Sequence, residues 1–305
     1  MTEFVYMNGD YVEKEHATIP VMTHGFLYGT AIFEGIRAYY NEDEGQLYAF
    51  RVPEHFVRLG KSAQIMHMKV SQSVDELCAV TKTLLNKNQY KTDVYVRPTL
   101  YKSDQKIGTH MVNTNDSLLI FSLPMGDYVD VSKGLKVCVS NWRRTSDNAI
   151  PPRAKICGAY ANAALISTDA RLAGFDDAIV LSEDGTVTEG SAMNLFLVEN
   201  GKLITTQTTD NILKGITRDT IMQLAREVMG LEVIERAIDR TELYIADEAF
   251  YCGTGAQVSP VVNIDNRDLG DGKVGPISKE LQKLYFDCVK GRIPQYKDWC
   301  MPIYD

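Results

Sequence analysis

The 305-residue chain has no long apolar run, no paired-cysteine motif and no histidine spacing of a metal site. Each absence removes a class. No stretch nears the roughly 18 apolar residues of a membrane span. Met1-Thr2-Glu3-Phe4 carries no basic region leading into an apolar one, so neither a membrane protein nor a secretory leader is expected. The six cysteines are scattered without a Cys-x-x-Cys pair, the habit of reduced thiols in a cytoplasm. The five histidines form no His-Glu-x-x-His, which leaves catalysis by a bound metal without a ligand set. Positive charge is in the minority, 32 Lys and Arg against 40 Asp and Glu, for a net charge of −8. A nucleic-acid backbone is a poor partner for such a chain. Internal repeats and low-complexity tracts are also missing. What is present is an ordinary apolar fraction, 45%, in a chain long enough for two domains with a substantial core.

Local signals divide that length. Asn8-Gly9 sits between two short apolar runs and predicts a hairpin. Residues 31–40 and 47–52 read as strands. Pro53 opens a helix with Phe56, Leu59, Ala63 and Met66 on one face. Ser73-Val74-Asp75-Glu76 is a capping box for a second helix. Residues 93–101 and 117–123 read as further strands, with Pro98 marking the first as irregular or at an edge beyond that point. Pro124-Met125-Gly126 breaks the pattern, so 125–133 is the expected linker between an N-terminal domain, 1–124, and a C-terminal domain, 134–305. In the second half, 158–172 and 217–229 read as helices closed near Gly174 and Gly230. Hairpins mixed with helices, without βαβ alternation, predict α+β architecture in both halves.

Three segments carry chemistry. Lys155 stands in Arg153-Ala154-Lys155-Ile156-Cys157-Gly158, before a helix rich in small residues. Desolvated there, its amine would have a lowered pKa and could attack a carbonyl to form a Schiff base; the plainer reading is a solvated surface lysine. Glu189 precedes Gly190-Ser191. It is either ordinary turn solvation or the carboxylate that pairs with a pyridinium nitrogen. Gly215-Ile216-Thr217 opens an amphipathic helix, either with Thr217 as a simple N-cap or as a phosphate-binding helix start. Gly253-Thr254-Gly255-Ala256 could complete such a cradle, or be a plain turn. An amine, a lone carboxylate and a phosphate site in this order are the groups that carry pyridoxal phosphate (PLP). Tyr95 and Arg97, one residue apart on a strand, face the same way, as a solvent-facing pair or a carboxylate clamp. Arg58 could reach a phosphate or lie on the surface.

At this point the chain resembles the branched-chain amino-acid aminotransferases of the class IV, PLP-dependent group, over nearly its whole length. The resemblance is carried by His24-Gly25-Phe26-Leu27-Tyr28-Gly29, Phe33-Glu34-Gly35-Ile36-Arg37, Arg58-Leu59, Tyr95-Val96-Arg97-Pro98, the Lys155 segment, Glu189-Gly190-Ser191, Asn194-Leu195-Phe196, Gly215-Ile216-Thr217-Arg218 and Gly253-Thr254-Gly255. It implies a two-domain D-amino-acid-aminotransferase-like fold (PLP fold type IV) with the site between domains. It implies transfer of the amino group of L-leucine, isoleucine or valine to 2-oxoglutarate. D-amino-acid or (R)-amine transaminases and aminodeoxychorismate lyase, which share the fold, are the alternatives. By the same resemblance Lys155 would be the Schiff-base lysine and proton shuttle, and Glu189 the partner of the pyridine nitrogen. Tyr160 would bond the phenolic oxygen, and Leu213 would pack on the ring. Arg58, Ile216, Thr217 and Thr254 would hold the phosphate. Tyr95 and the amides of Gly255 and Ala256 would take the substrate α-carboxylate. Tyr28 and Phe33 would wall the side-chain pocket, and Arg97 would accept a side-chain carboxylate. A homo-oligomer, dimer or higher, in the cytoplasm is implied as well. The chain departs from the common pattern at Met193, Gln257 and Asp127, and in residues 102–115.

Overall fold

In the computed structural model, which describes residues 3–126 and 133–304, Asn8 and Gly9 take positive φ of 53° and 104°. They close the hairpin between β1 (Phe4–Met7) and β2 (Asp10–Glu13), as their backbone tolerance predicts. The chain falls into two compact units. The expected linker, 125–133, lies mostly outside the described residues, and so does Asp127.

One unit gathers Met1–Gly126, Ala154–Gly158 and Cys288–Asp305. Its first helix, α1 (His24–Tyr28), stops at Gly29, whose φ of 66° is left-handed. The predicted strand over 31–40 is interrupted: β3 (Ala31–Phe33) and β4 (Ile36–Asn41) are separate, with Glu34 and Gly35 between them. After β5 (Gln46–Phe50) come α2 (Val52–Ile65), with Pro53 in its first turn, and α3 (Val74–Asn88), held by the reciprocal Ser73–Glu76 capping box. They lie over β3 and β1 and bury Phe56, Leu59, Leu84 and Leu85.

The expectation for Pro98 is corrected here. β6 (Val94–Lys102) runs straight through it and has neighbours on both sides. On one side it pairs along its whole length with β7 (Asp116–Pro124). On the other, residues 94–96 pair with β4 and residues 99–101 with β3. Pro98 stands at the changeover, where its carbonyl accepts from Glu34 N at 2.9 Å and no amide is asked of it. The proline is tolerated because the partner strand is interrupted opposite it.

The second unit, Asp127–Arg153 with Ala159–Asp287, is built on β8 (Leu135–Arg143). It continues through α4 (Tyr160–Leu172), β9 (Asp177–Leu181), β10 (Val187–Gly190), β11 (Asn194–Glu199) and β12 (Lys202–Thr205). Then come α5 (Ile216–Glu227), β13 (Val233–Glu235), β14 (Glu248–Gly253), β15 (Gln257–Ile264), β16 (Arg267–Asp268) and α6 (Pro276–Val289). The strand order is β10-β9-β8-β15-β14-β11-β12-β13, with β16 on β15. β8 is parallel to both β9 and β15, and β12 is parallel to β13; the other pairs are antiparallel. The main core joins Val137, Ile179, Leu195, Leu197 and Ile264; Ala178 and Val180, on the opposite face of β9, pack under Ile166 and Ala170 of α4. Both faces of β9 are therefore buried, which its uninterrupted apolar run requires. Glu248 caps α6 by accepting from Ile277 N at 3.0 Å and Ser278 N at 2.7 Å.

β17 (Cys300–Pro302) belongs to the first unit and pairs antiparallel with β5. The first sheet then reads β17-β5-β4-β6-β7-β1-β2, with β3 on β6. Among the described residues no helix is long and apolar enough to cross a membrane, and all six cysteines are free thiols.

Candidate functional site

In the first unit Lys155 lies on a short strap sewn to the sheet by its backbone. Its carbonyl accepts from Phe33 N at 3.0 Å, its amide donates to Ser62 Oγ at 3.2 Å, and Ile156 bridges Ile32. Gly158 N donates to Gly29 O at 3.2 Å, and a Cβ on Gly29 would come within 2.7 Å of the Gly158 Cα. Only glycine permits that approach at a positive φ. The strap thus aims the lysine from a fixed base. Its Nζ lies 4.7 Å from the centre of the buried Phe33 ring, and the Arg97 guanidinium lies 4.2 Å from the same ring. Arg97 Nε and Nη2 donate to Tyr95 Oη at 2.9 and 2.7 Å, so the two residues do share one face. Gly35 makes room for that phenol: a Cβ there would sit 2.6 Å from Tyr95 Oη. Tyr28 Oη accepts from Gly108 N at 3.0 Å, and His24 Nε2 bonds Gly108 O at 2.8 Å. Two side chains of α1 hold the loop after β6. Burial pushes the Cys157 thiol up, with the Arg97 and Lys155 cations working against that rise.

Arg58 is engaged more closely than its sequence context indicates. Its Nε and Nη2 donate to the two oxygens of Glu34 at 2.7 Å each, and His55 Nδ1 donates to Glu34 Oε2 at 2.7 Å. Glu34 is wholly buried. Burial pushes its carboxyl up, but the Arg58 guanidinium and then His55 outweigh that and hold it at about 2. Burial lowers the His55 pKa, with Glu34 opposing. Both groups therefore bind protons more readily unfolded than folded, and stability falls as pH falls. The His55 contribution begins to go below its ordinary 6.5; that of Glu34 goes between 4.5 and about 2. Denaturant titrations at pH 7 and pH 3 should differ through Glu34 by about 2 kcal/mol, and Glu34→Gln should remove most of that pH-dependent part. An unchanged slope in the variant would contradict it.

In the second unit Glu189, 6% exposed, is fixed from two sides. Asn194 Nδ2 donates to Glu189 Oε2 at 2.8 Å, and the Arg144 guanidinium lies 3.6 Å from Oε1. Arg144 also donates to the carbonyl oxygens of Gly190 and Ser191. Asn194 Nδ2 donates as well to Leu213 O at 3.0 Å, and a Cβ on Gly215 would fall 2.0 Å from Asn194 Oδ1. One amide thus joins Glu189, Leu213 and the start of α5. The N-cap of α5 is Gly215, which has no side chain to cap with; Thr217 is buried inside the first turn, so the reading of Thr217 as N-cap is corrected. Thr254, Gly255 and Ala256 form the turn between β14 and β15. Tyr160 is the first residue of α4.

Asn194, Gly215 and Glu34 lie in motifs visible in the sequence, yet their parts, like that of Arg144, are visible only in space. Gly215→Ala has a specific expected outcome. The added methyl displaces Asn194, costing about 1–3 kcal/mol of stability, and it removes one of the two groups that fix the Glu189 carboxylate. Thermal melts and PLP titration of the apo-protein should both show the loss; normal PLP binding would mean Asn194 does not govern Glu189.

Residues 31–264 match the family described as Amino-transferase class IV. A protein of Aquifex aeolicus (strain VF5) named probable branched-chain-amino-acid aminotransferase is 46% identical over 303 residues, covering 99% of this chain and 97% of its own. The crystal structure of branched-chain amino acid aminotransferase from Thermobaculum terrenum in PLP-form superposes with a TM-score of 0.95 at 39% identity, over 100% of this chain and 99% of that one. The T.th. branched-chain amino acid aminotransferase complexed with N-(5'-phosphopyridoxyl)-L-glutamate gives 0.94 at 35% identity, over 100% and 99%. With the amine, the carboxylate and the helix start now set in their units, the two-domain α+β fold is that of these enzymes, and the chain belongs to the class IV aminotransferase family.

Proposed function

We propose that this chain is a PLP-dependent branched-chain aminotransferase, which takes the amino group of leucine, isoleucine or valine and passes it to 2-oxoglutarate. Its 46%-identical relative is named a probable branched-chain-amino-acid aminotransferase, and the T.th. enzyme is described in complex with N-(5'-phosphopyridoxyl)-L-glutamate. The observation that carries the reading is the setting of Phe33. An apolar ring with an amine against it and a guanidinium–phenol pair beside it suits substrates that are aliphatic in one half-reaction and acidic in the other.

The residues fit PLP by a test internal to the chain. Gly215, the N-cap of α5, has no side chain to cap with, and a Cβ there would collide with the amide that holds Glu189. Ile216 N, Thr217, Thr254 and Arg58 would hold the phosphate, Tyr160 the phenolic oxygen, Leu213 the ring face and Glu189 the ring nitrogen. When bound, the cofactor supplies an aldehyde and an electron-accepting ring. Lys155 Nζ would take the proton from the substrate Cα and carry it toward the cofactor's C4′ carbon, from the side on which its strap holds it. Tyr95 with the amides of Gly255 and Ala256 orients the α-carboxylate, Tyr28 and Phe33 exclude water from the aliphatic chain, and Arg97 receives the γ-carboxylate of 2-oxoglutarate.

The same reading carries a homo-oligomer, dimer or higher, acting on small molecules in the cytoplasm, without nucleic acid or membrane as a partner. Val21, Phe26, Ile107 and Val112 are exposed on α1 and on the segments beside it, an apolar surface a second copy would cover. A panel of amino donors with 2-oxoglutarate tests the activity. Branched-chain L-amino acids should bleach the visible band of the yellow protein and yield their keto acids; a response to D-amino acids or simple amines alone would overturn the assignment.

A further inference from the structure

Glu34 is a fully buried carboxylate for which the proposed chemistry has no use. Burying an ion pair rarely adds stability over an apolar replacement, so its presence calls for another reason. Its geometry supplies one. The carboxylate meets Arg58 edge to edge, Oε1 on Nε and Oε2 on Nη2, at 2.7 Å each. A two-point contact of this kind fixes both the plane of a guanidinium and its rotation about the side-chain axis. The carboxylate is itself immobilised. Its backbone amide is tied to Pro98 O at 2.9 Å in the interruption between β3 and β4, and Oε2 also accepts from His55 Nδ1. His55 and Arg58, three residues apart, project from the same face of α2. A carboxylate accepts only, so His55 carries its hydrogen on Nδ1, and the tautomer is set as well.

We propose that Glu34, braced by His55, is the positioning residue for Arg58, holding its guanidinium ready for the cofactor phosphate. This rests on the assignment of Arg58 to the phosphate. A free arginine side chain would pay rotamer entropy on binding, whereas one locked beforehand does not. Phe33, next in sequence, faces Lys155, so the interruption that admits Glu34 also sets the ring beside the amine. Glu34 touches neither substrate nor cofactor in this scheme and acts only through the arginine.

The test compares PLP with pyridoxal, which has the aldehyde and ring but no phosphate. Apo-protein of the full chain is titrated with each, and the ratio of the two dissociation constants is the readout. Arg58→Lys should shrink the preference for PLP. Glu34→Gln should shrink it by on the order of ten-fold while leaving pyridoxal binding nearly unchanged. The double variant should be no worse than Arg58→Lys alone, because both changes act on one contact. If Glu34→Gln does not fold, Glu34→Asp gives the same readout, since the shorter side chain cannot span both nitrogens. Equal loss for PLP and pyridoxal, or additive losses in the double variant, would reduce Glu34 to a structural ion pair and overturn the proposal. A preference unaltered by Arg58→Lys would instead remove the phosphate from Arg58, and the role of Glu34 with it.

Discussion

Lys155→Ala should lower turnover by up to about 10⁴-fold while the protein still takes up PLP. The loss is large because the amine is the proposed proton carrier, and the Arg97 guanidinium on the same Phe33 ring, which offers donors and no acceptor, does not take its place. Folding should survive, because the strap is held by the backbone of residue 155 and not by its side chain. The bonds from Phe33 N and to Ser62 Oγ remain in the alanine variant. The experiment needs two readings, a steady-state rate and a PLP titration of the apo-protein. Near-native turnover would remove Lys155 from the mechanism. Failure to take up PLP would mean that the covalent link, rather than the phosphate contacts, holds the cofactor.

Arg97→Ala should separate the two half-reactions. In the 2-oxoglutarate direction it leaves a carboxylate without its cation, a loss of about 2–5 kcal/mol, or roughly a thousand-fold in rate. With leucine the side chain is aliphatic, and the guanidinium matters through the groups it touches, Tyr95 and the Phe33 ring. Two donors to Tyr95 Oη disappear, so that phenol is held less firmly, and a loss of about ten-fold is expected from one weakened contact. Single-turnover rates measured from each side give the comparison directly. Equal losses would move the side-chain carboxylate elsewhere in the site.

Much of this was readable in the residues, for reasons that differ by element. Asn8-Gly9 and the Ser73–Glu76 box are local signals, complete within four residues, and both formed as expected. Tyr95 and Arg97 were paired by strand periodicity alone, and the structure adds the bond between them. The interruption at Glu34 and Gly35 was hidden because residues 31–40 are apolar enough for one unbroken strand. Its counterpart lies across the sheet, where Pro98 offers a carbonyl and no amide. The same limit hid the partners of the site residues. Glu34 and Arg58 are 24 positions apart, and Asn194 and Leu213 are 19 apart, so no spacing rule joins them. Lys155 and Glu189 stood out by chemical type and order; the groups that aim and fasten them are ordinary residues until the chain is folded.

The discontinuous make-up of the first unit has a consequence for synthesis on the ribosome. Ala154–Gly158 and Cys288–Asp305 are part of it, yet they emerge long after residue 126. Until they do, a nascent chain presents the unpaired edge of Gln46–Phe50 and lacks the carbonyl that receives the Phe33 amide. An open strand edge invites pairing with a neighbouring polypeptide on the same message. The amino-terminal part is thus translated first and completed last, and the final turn and strand at the carboxyl end serve as the closing stitch.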